Sequence, residues 1–421
     1  MKKTLFLVRY LSVCVLLCGF ATLGVAQEDA ISNKPTPVSS EQHYNENPQR
    51  ITFDPLEVSL LTCSPGKEIY AYYGHTALRI LDYNTGVDAV FNYGMFSFGA
   101  PHFIWRFMKG ETDYELGVLP FDLFLQEYSR RGSFIEQQIL NLRPTEKSTL
   151  YQNLIENSKA ENCMYRYNIL YDNCTTRARN MIEQSISGHV SYATHKSQTS
   201  TYRDIIHRYT TAYPWSEFGQ DLLLGAEADR PIERELQEFA PFVLMENMAH
   251  ASIVDREGIS RPLVLKTLRI DPLTKRAEEV PSTLTPLLSM WLLFGVLLVI
   301  SLWEIKRKHR LWGIDAFLFG LLGLIGCAVT LLFFFSEHPT VGSNWLILLL
   351  NPLPLLYLPR LIFLGKKQQK DPFYGIEGCL IVLLIAFYGA IPQKFPVAIV
   401  PLVLSLLLRI ISHLYLLYNK K

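Results

Sequence analysis

An excess of charge of either sign is missing from this 421-residue chain: 40 Lys and Arg stand against 39 Asp and Glu, a formal charge of +1. A nucleic-acid binder needs a basic surplus to neutralise phosphates, so that class is set aside first. Nothing repeats at a fixed period, which excludes solenoids and propellers. The histidines of residues 51–268 other than His75, namely His102, His189, His195, His207 and His250, lack metal-ligand spacing. Neither a metal nor another cofactor is therefore expected. Cysteine is scarce as well, with seven in all.

Apolar side chains are plentiful. They make up 49% of the chain, but a polar first two thirds precedes a very apolar last third, so one part reads as soluble and the other as membrane-embedded. The length suits two or three units at about 100 to 200 residues each. Lys2, Lys3 and Arg9 precede an apolar run from Tyr10 to Leu23 and the small residues Gly24, Val25 and Ala26. That is a secretory signal pattern over residues 1–26, with cleavage expected after Ala26. A retained anchor is the competing reading, and the run falls short of the ~20 residues such a helix needs. Residues 27–50, rich in Ser, Asn, Pro, Gln and Glu, read as a linker. Residues 51–268 read as one soluble domain of strand-like and helix-like segments, 269–283 as a juxtamembrane linker and 284–421 as a transmembrane domain.

The last part holds five apolar runs, at about 284–303, 312–335, 345–364, 373–391 and 395–418, each near the length that crosses a bilayer. Pro352, Pro354 and Pro359 interrupt the third, which reads as a kinked helix or a re-entrant segment. Basic residues gather at Lys306 to Arg310, at Gly365 to Lys370 and at the end, Lys420 and Lys421, whereas the loops 336–344 and 391–396 hold one lysine between them. If basic loops stay inside, an odd number of spans starting outside puts all three basic segments in the cytoplasm. The signal pattern says the same independently: the soluble domain is extracytoplasmic.

Without the signal and the membrane runs, Cys63, Cys163 and Cys174 remain. An odd number in an oxidising compartment points to a free thiol, and leaves a Cys63–Cys163 disulfide as one pairing that spacing alone does not establish. Cys174 follows Asp172 and Asn173, good N-cap residues for a helix over 175–186. A thiol in a first helical turn is biased toward thiolate by the unpaired N–H groups and the dipole, and those N–H groups are candidate oxyanion donors. The plain alternative is a buried structural cysteine. The base such a nucleophile needs is best supplied by His75, in Tyr72-Tyr73-Gly74-His75-Thr76-Ala77-Leu78-Arg79, where alternation predicts a strand. A histidine at a strand start is otherwise structural. The next strand, 88–94, follows a turn at Tyr83-Asn84-Thr85-Gly86, and its Asn92 is the first candidate to orient the imidazole, ahead of Asp82 and Asp88. Tyr73 and Arg79, flanking His75, are read as substrate-contacting residues.

The segments Leu60-Leu61-Thr62-Cys63-Ser64-Pro65-Gly66, Tyr73-Gly74-His75-Thr76-Ala77-Leu78-Arg79, Phe91-Asn92-Tyr93-Gly94-Met95-Phe96 and Asp172-Asn173-Cys174-Thr175-Thr176-Arg177, taken in order, resemble the Lnb-type lipoprotein N-acyltransferases. The resemblance is good over about 55–190 and weaker to about 265, and the multi-span region looks like that of the longer members. It implies an α+β class: a circularly permuted papain-like (NlpC/P60-like) extracytoplasmic domain, its histidine preceding its cysteine, plus a C-terminal all-α bundle of about five transmembrane helices. It further implies a catalytic pair, His75 and Cys174, and transfer of an acyl chain to the α-amino group of the diacylglyceryl cysteine that begins a bacterial lipoprotein. Cys174 would attack a lipid ester and carry the chain as a thioester, and His75 would take a proton from the incoming amine. The expected partners are the membrane, a lipid acyl donor, either a phospholipid or the lipoprotein's own glyceryl ester, and diacylglyceryl lipoproteins as acceptors. The expected location is the bacterial cytoplasmic membrane.

Two other readings use the same residues. The pair could hydrolyse a lipid ester or a cell-wall amide, or Cys174 could be structural in an envelope scaffold whose aromatic segment from Phe96 to Tyr114 binds lipid or a partner. In the polar external loop 336–344, His338 would stand at headgroup level, either contacting a lipid headgroup or serving in an ordinary connection.

Overall fold

A computed structural model describes residues 55–96, 101–193, 200–274 and 283–418. The expected signal segment and linker lie outside these residues. From Leu56 onward the chain forms one compact unit.

Seven strands form an antiparallel sheet: β1 (Leu56–Cys63), β2 (His75–Asp82), β3 (Val87–Met95), β4 (Asp113–Pro120), β5 (Ile135–Leu140), β6 (Met164–Arg166) and, last in the chain, β10 (Val264–Ile270). Their spatial order is β10-β5-β1-β2-β3-β4-β6. A second, three-stranded sheet orders β7 (His189–Ser191), β8 (Ser252–Val254) and β9 (Ser260–Pro262). β1 is central and apolar on both faces, as a strand covered on both sides must be. On one face Val58 and Leu60, with Leu78, Ile80, Phe91 and Tyr93, pack against α3 (Pro144–Asn157), α4 (Cys174–Ser185) and α8 (Pro241–Ala249). On the other, Leu61, Cys63, Ala77 and Val90 meet Phe124 and Tyr128 of α2 (Phe121–Arg130). The short α1 (Phe103–Lys109) precedes β4.

Two features of the strands set up the site. The β2–β3 hairpin closes through Asp82, which accepts from the Asn84 amide at 2.9 Å and the Thr85 hydroxyl at 2.8 Å, and Gly86 at φ +71 completes the turn. The register pairs Cys63 with His75 across β1 and β2, and Leu78 with Phe91 across β2 and β3. His75 thus begins its strand at the edge where β3 ends.

The Cys63–Cys163 disulfide left open by the sequence is not formed, and both thiols are free. The physical reason is the sheet between them: Cys63 belongs to the α2 face, and Cys163 packs against the opposite face.

Two helices, α5 (Tyr202–Thr210) and α6 (Pro214–Asp221), and the segment that follows them build a polar-laced subdomain around Arg203, which bonds Asp221 at 2.5 Å and Asp229 at 2.8 Å; α7 (Arg234–Gln237) comes next in the chain. This subdomain is bolted to the outer membrane loops. The Asn344 amide donates to Leu222 O at 2.8 Å, Gln393 Nε2 donates to Leu224 O at 3.0 Å, the Glu227 N–H donates to Ser343 Oγ at 3.0 Å, and the Lys394 N–H donates to Asp229 at 2.9 Å. Gly225 approaches so closely that a Cβ there would lie 2.3 Å from Thr340 O, a contact no other residue allows.

Among the described residues, five helices are long and apolar enough to cross a membrane: Pro286–Arg307, Trp312–Phe335, Trp345–Lys366, Phe373–Ala390 and Ile399–Leu416. The helices that form them are α9 (Pro286–Arg307), α10 (Trp312–Phe335), α11 (Leu353–Lys366), α12 (Phe373–Phe387) and α13 (Ile399–Tyr418). The third begins as a 3-10 turn at Trp345–Leu348, and α11 carries Pro359 in its interior, the interruption legible in the sequence. The loops touching the N-terminal domain, 336–344 and 391–396, are the ones that charge assigned to the outside. At the opposite end the basic segments meet, the Arg310 amide donating to Gln368 Oε1 at 3.2 Å. Just inside that end, Arg409 holds Glu304 at 2.7 Å and Asp315 at 2.6 Å, and the Tyr374 hydroxyl donates to Asp315 at 2.7 Å. Buried charges in a bundle are tolerated when paired in this way.

Candidate active site

Asn173 is the N-cap of α4. Its Oδ1 accepts from the Thr175 and Thr176 amides at 2.8 and 3.0 Å, and the Thr176 hydroxyl accepts from the Asn173 amide at 2.9 Å. The cap consumes two of the N–H groups that the sequence offered as oxyanion donors, and leaves the Cys174 amide, first in the helix, outside that pattern. Asn173 Nδ2 also donates to Ile169 O and Phe239 O, fixing the cap from both flanks. Cys174 is therefore the first residue of α4, buried at 7% exposure, aimed at the mouth of β2.

There it meets His75. The thiol lies within electrostatic reach of the imidazole and of the Thr76 N–H, and the Thr175 hydroxyl is 3.8 Å from the sulfur. A 3.2 Å hydrogen bond between the Thr76 and Thr175 hydroxyls ties the residue after each partner to its counterpart, locking strand to helix beside the pair. The Nε2 of His75 is 2.5 Å from Asn92 Oδ1, which accepts its proton and leaves Nδ1 for the thiol. Tyr128 of α2 stacks on the imidazole, with centroids 6.2 Å apart and planes at 14°.

The electrostatics follow from this packing. Burial pushes the Cys174 thiol up, but the adjacent His75 charge, the Thr76 amide and the Thr175 hydroxyl outweigh burial and hold it below the ordinary thiol value. Burial lowers His75, but Cys174 and the Asn92 bond outweigh it and hold the imidazole above its ordinary value. A thiolate–imidazolium pair is the form these shifts favour.

Gly94 borders the pair. Gly94 has φ +93, and a Cβ built on it would stand 3.7 Å from Cys174 Cβ, 3.9 Å from His75 Cε1 and 3.9 Å from the Tyr165 hydroxyl. Tyr165 is buried at 7% exposure, yet its hydroxyl has no hydrogen-bond partner among the described residues. The ring is held by Arg177, whose guanidinium lies 3.6 Å over it and is clamped by Asp172 at 2.6 and 2.7 Å. An unspent donor, a thiol and an imidazole thus converge on one glycine-sized space. Sequence reasoning missed Tyr165, because a tyrosine in a short aromatic strand carries no local signal, and it missed the use of Gly94, although that glycine was in plain view.

The remaining candidates lie elsewhere. Arg79 is four residues along β2 from His75, where it is paired through two 2.7 Å bonds with Asp88 and stacked 3.6 Å over Phe121. Asp82 is spent on its own turn. The Tyr73 hydroxyl donates to Gln220 at 2.5 Å and the ring packs with Tyr209. His338 donates to Phe107 O at 2.5 Å, on the end of α1. None of these is brought to the thiol, whereas His75, Asn92 and Cys174 are.

Fold and site together define a multi-span membrane protein with a paired cysteine and histidine in its soluble domain. Two family models match it, the Lnb N-terminal periplasmic domain over residues 44–210 and the Lnb transmembrane domain over residues 278–421. Together they span about three quarters of the chain, which belongs to the Lnb-type family: a periplasmic domain followed by a membrane region. Comparison with curated proteins and with solved structures finds no match. The permuted papain-like arrangement is consistent with the observed sheet and with the helix that carries Cys174.

Proposed function

We propose that this protein is a lipoprotein N-acyltransferase of the bacterial cytoplasmic membrane. It moves an acyl chain from a lipid ester, by way of a thioester on Cys174, to the α-amino group of a diacylglyceryl cysteine. The observation that carries this reading is the Cys174–His75–Asn92 set, bordered by Gly94 with room for one added carbon, in a domain bolted to the outer loops of five spans. Membership of the Lnb-type family supports it.

His75 holds the proton of Cys174. The thiolate attacks the ester carbonyl carbon lodged beside Gly94, forming a C–S bond as the carbonyl π electrons move to oxygen. The Cys174 amide and the Tyr165 hydroxyl donate to that oxyanion. Its collapse breaks the ester C–O bond, and the departing alkoxide takes the proton from His75. The α-amino group of the acceptor then attacks the thioester and gives a proton to His75, the C–S bond breaks, and the amide leaves as thiolate and imidazolium are restored. Asn92 keeps the ring in the tautomer and orientation both half-reactions need. Confinement of donor and acceptor to one surface raises their effective concentration at a site mounted on the same bilayer, an advantage a hydrolase of soluble peptides would not gain.

Mass spectrometry of a lipoprotein's N-terminal peptide tests this, in cells carrying wild-type, Cys174→Ala or His75→Ala protein at matched abundance. Loss of the amide-linked chain in both variants is expected, and the number of remaining ester chains identifies the donor. An unchanged lipopeptide overturns the reading and favours hydrolysis.

A further inference from the structure

The short helix α1 has no part in the site, yet its position is unusual. Its last carbonyls, which a helix end leaves without partners, are taken by the loop that follows span α10. The Ser336 hydroxyl donates to Met108 O at 2.8 Å, the Glu337 amide to Lys109 O at 2.7 Å and His338 to Phe107 O at 2.5 Å. Gly110, at φ +75, seats against the same loop, where a Cβ would lie 2.9 Å from the His338 nitrogen. α1 is therefore fastened to the outer end of a membrane-spanning helix, at the level where hydrocarbon meets water.

What α1 exposes at that level is apolar. Ile104, Trp105 and Phe107 are 61%, 52% and 43% exposed, while its two basic side chains are tied down, Arg106 by Asp113 at 2.5 Å and Lys109 by Glu111. Phe334 and Phe335, at the end of the span itself, are exposed as well. Aromatic side chains at this depth are what an interfacial segment uses to sit among headgroups and upper acyl carbons.

From this helix a row of rings leads inward. Phe107 stacks with Phe103 at 6.0 Å, Phe103 with Phe96 at 5.9 Å, Phe96 with Tyr114 at 4.8 Å and Tyr114 with Tyr167 at 4.1 Å. Tyr167 adjoins Tyr165 at 6.4 Å, whose hydroxyl borders the space at Gly94. The row connects the membrane boundary to the nucleophile.

We propose that α1 lies in the extracytoplasmic leaflet and that the row from Phe107 to Tyr165 receives the acyl chain of a membrane glycerolipid on its way to Cys174. The route rests on the acyl-transfer reading above, whereas the placement of α1 does not. A flexible alkyl chain gains from sliding along ring faces instead of crossing water, and the row delivers its ester end beside the thiol. The sequence reading that assigned the segment from Phe96 to Tyr114 to lipid binding in a scaffold takes on a new meaning here: the segment feeds the site.

The test uses full-length protein in vesicles of equal parts phosphatidylethanolamine and phosphatidylglycerol, with chains brominated near the headgroup. The protein has six tryptophans, so the readout is the quenched component that disappears in Trp105→Phe. Its presence is expected, and its absence overturns the leaflet placement. The second measurement is acylation of Cys174 by vesicle phospholipid and by a soluble nitrophenyl butyrate, whose attack by the thiolate forms the thioester and releases nitrophenolate. With Ile104→Glu/Trp105→Glu, acylation from vesicles is expected to fall about tenfold or more, the scale of losing one or two buried apolar side chains, with the butyrate rate unchanged. The milder Ile104→Ser/Trp105→Ser pair guards against misfolding and is expected to give the same split. Equal loss with both donors, or no loss with either, overturns the route. Failure of both donors to acylate the wild-type Cys174 overturns the acyl-transfer reading and the route with it, and the quenching result still decides where α1 lies.

Discussion

Replacing Gly94 by alanine separates the chemistry of the site from its stability. The added methyl would lie 3.7 Å from Cys174 Cβ and 3.9 Å from His75 Cε1 and the Tyr165 hydroxyl, ordinary van der Waals separations, so it fits the folded protein without a clash. Its cost is conformational: φ +93 is disfavoured for any residue with a Cβ, by about 1–3 kcal/mol. For a domain of this size that lowers Tm by about 2–4 °C per kcal/mol, so the variant folds. For the reaction the same methyl is ruinous, because it occupies the volume in which the carbonyl must come within about 3–3.5 Å of sulfur. A displacement of about 1 Å costs on the order of 10²-fold, and a loss at least that large is expected. The assay is burst release of nitrophenolate from a short-chain acyl ester, run beside an ultraviolet titration of the thiolate. The thiolate signal is expected to persist while the burst disappears. Acylation of Gly94→Ala at the wild-type rate would refute the placement of the reacting carbonyl.

Three further outcomes follow from the same geometry. Tyr165→Phe keeps the ring and its Arg177 stack but removes a donor with no other partner, so acylation should slow by about 10²–10³-fold with Tm unchanged, and an undiminished rate assigns the oxyanion elsewhere. The pH–rate profile should be bell-shaped. Cys174 lies below its ordinary value, so its charge favours the fold above the ordinary thiol range and that contribution is lost as pH falls through the folded value; His75 lies above its own, so its contribution is full below the ordinary imidazole range and is lost as pH rises through the folded value. Activity should accordingly rise through the first and decline through the second, and Asn92→Ala, by removing a bond that holds the imidazolium, should draw the alkaline limb to lower pH; an unmoved limb would deny Asn92 its role. Finally, Arg409→Met strands Glu304 inside the bundle and leaves Asp315 to Tyr374 and to Arg310 at 3.7 Å, at a cost of about 3–5 kcal/mol, readable as a large drop in Tm in detergent, and an unchanged Tm would show that Glu304 is solvated.

The sequence displayed the parts of the site that depend on local chemistry. Asn173 before Cys174 is a cap signal wherever it occurs, Gly74 before His75 marks a strand start, and the turn at Tyr83–Gly86 forces Asn92 onto the strand next to the histidine. The spans were legible because length and hydropathy are one-dimensional properties, and the loop charges gave the side of the membrane. What escaped was set by closure of the fold. Arg79 sits in the same motif as His75, but four residues of strand carry it about 13 Å away, where Asp88 and Phe121 take it up. Tyr165 acquires its position only when β6 joins the sheet beside β4, a pairing that nothing in its own segment announces. The return of β10 to the edge at β5, more than a hundred residues later in the chain, is equally invisible to local pattern.

If the proposed function holds, the bolts between the 222–229 segment and the outer loops bear on which acceptors could be served. A domain fastened at several points to the ends of the spans stands at a set height, so it acts as a gauge. On the proposed acyl transfer, a lipid-tethered polypeptide would have to reach up to Cys174 with its first residue while its own folded body clears the domain's flank. The free stretch between lipid anchor and first folded element then becomes a selection rule measured in length, separate from any recognition of side chains. Lipoproteins with short tethers would be poor acceptors whatever their sequence, and lengthening the tether alone would admit them.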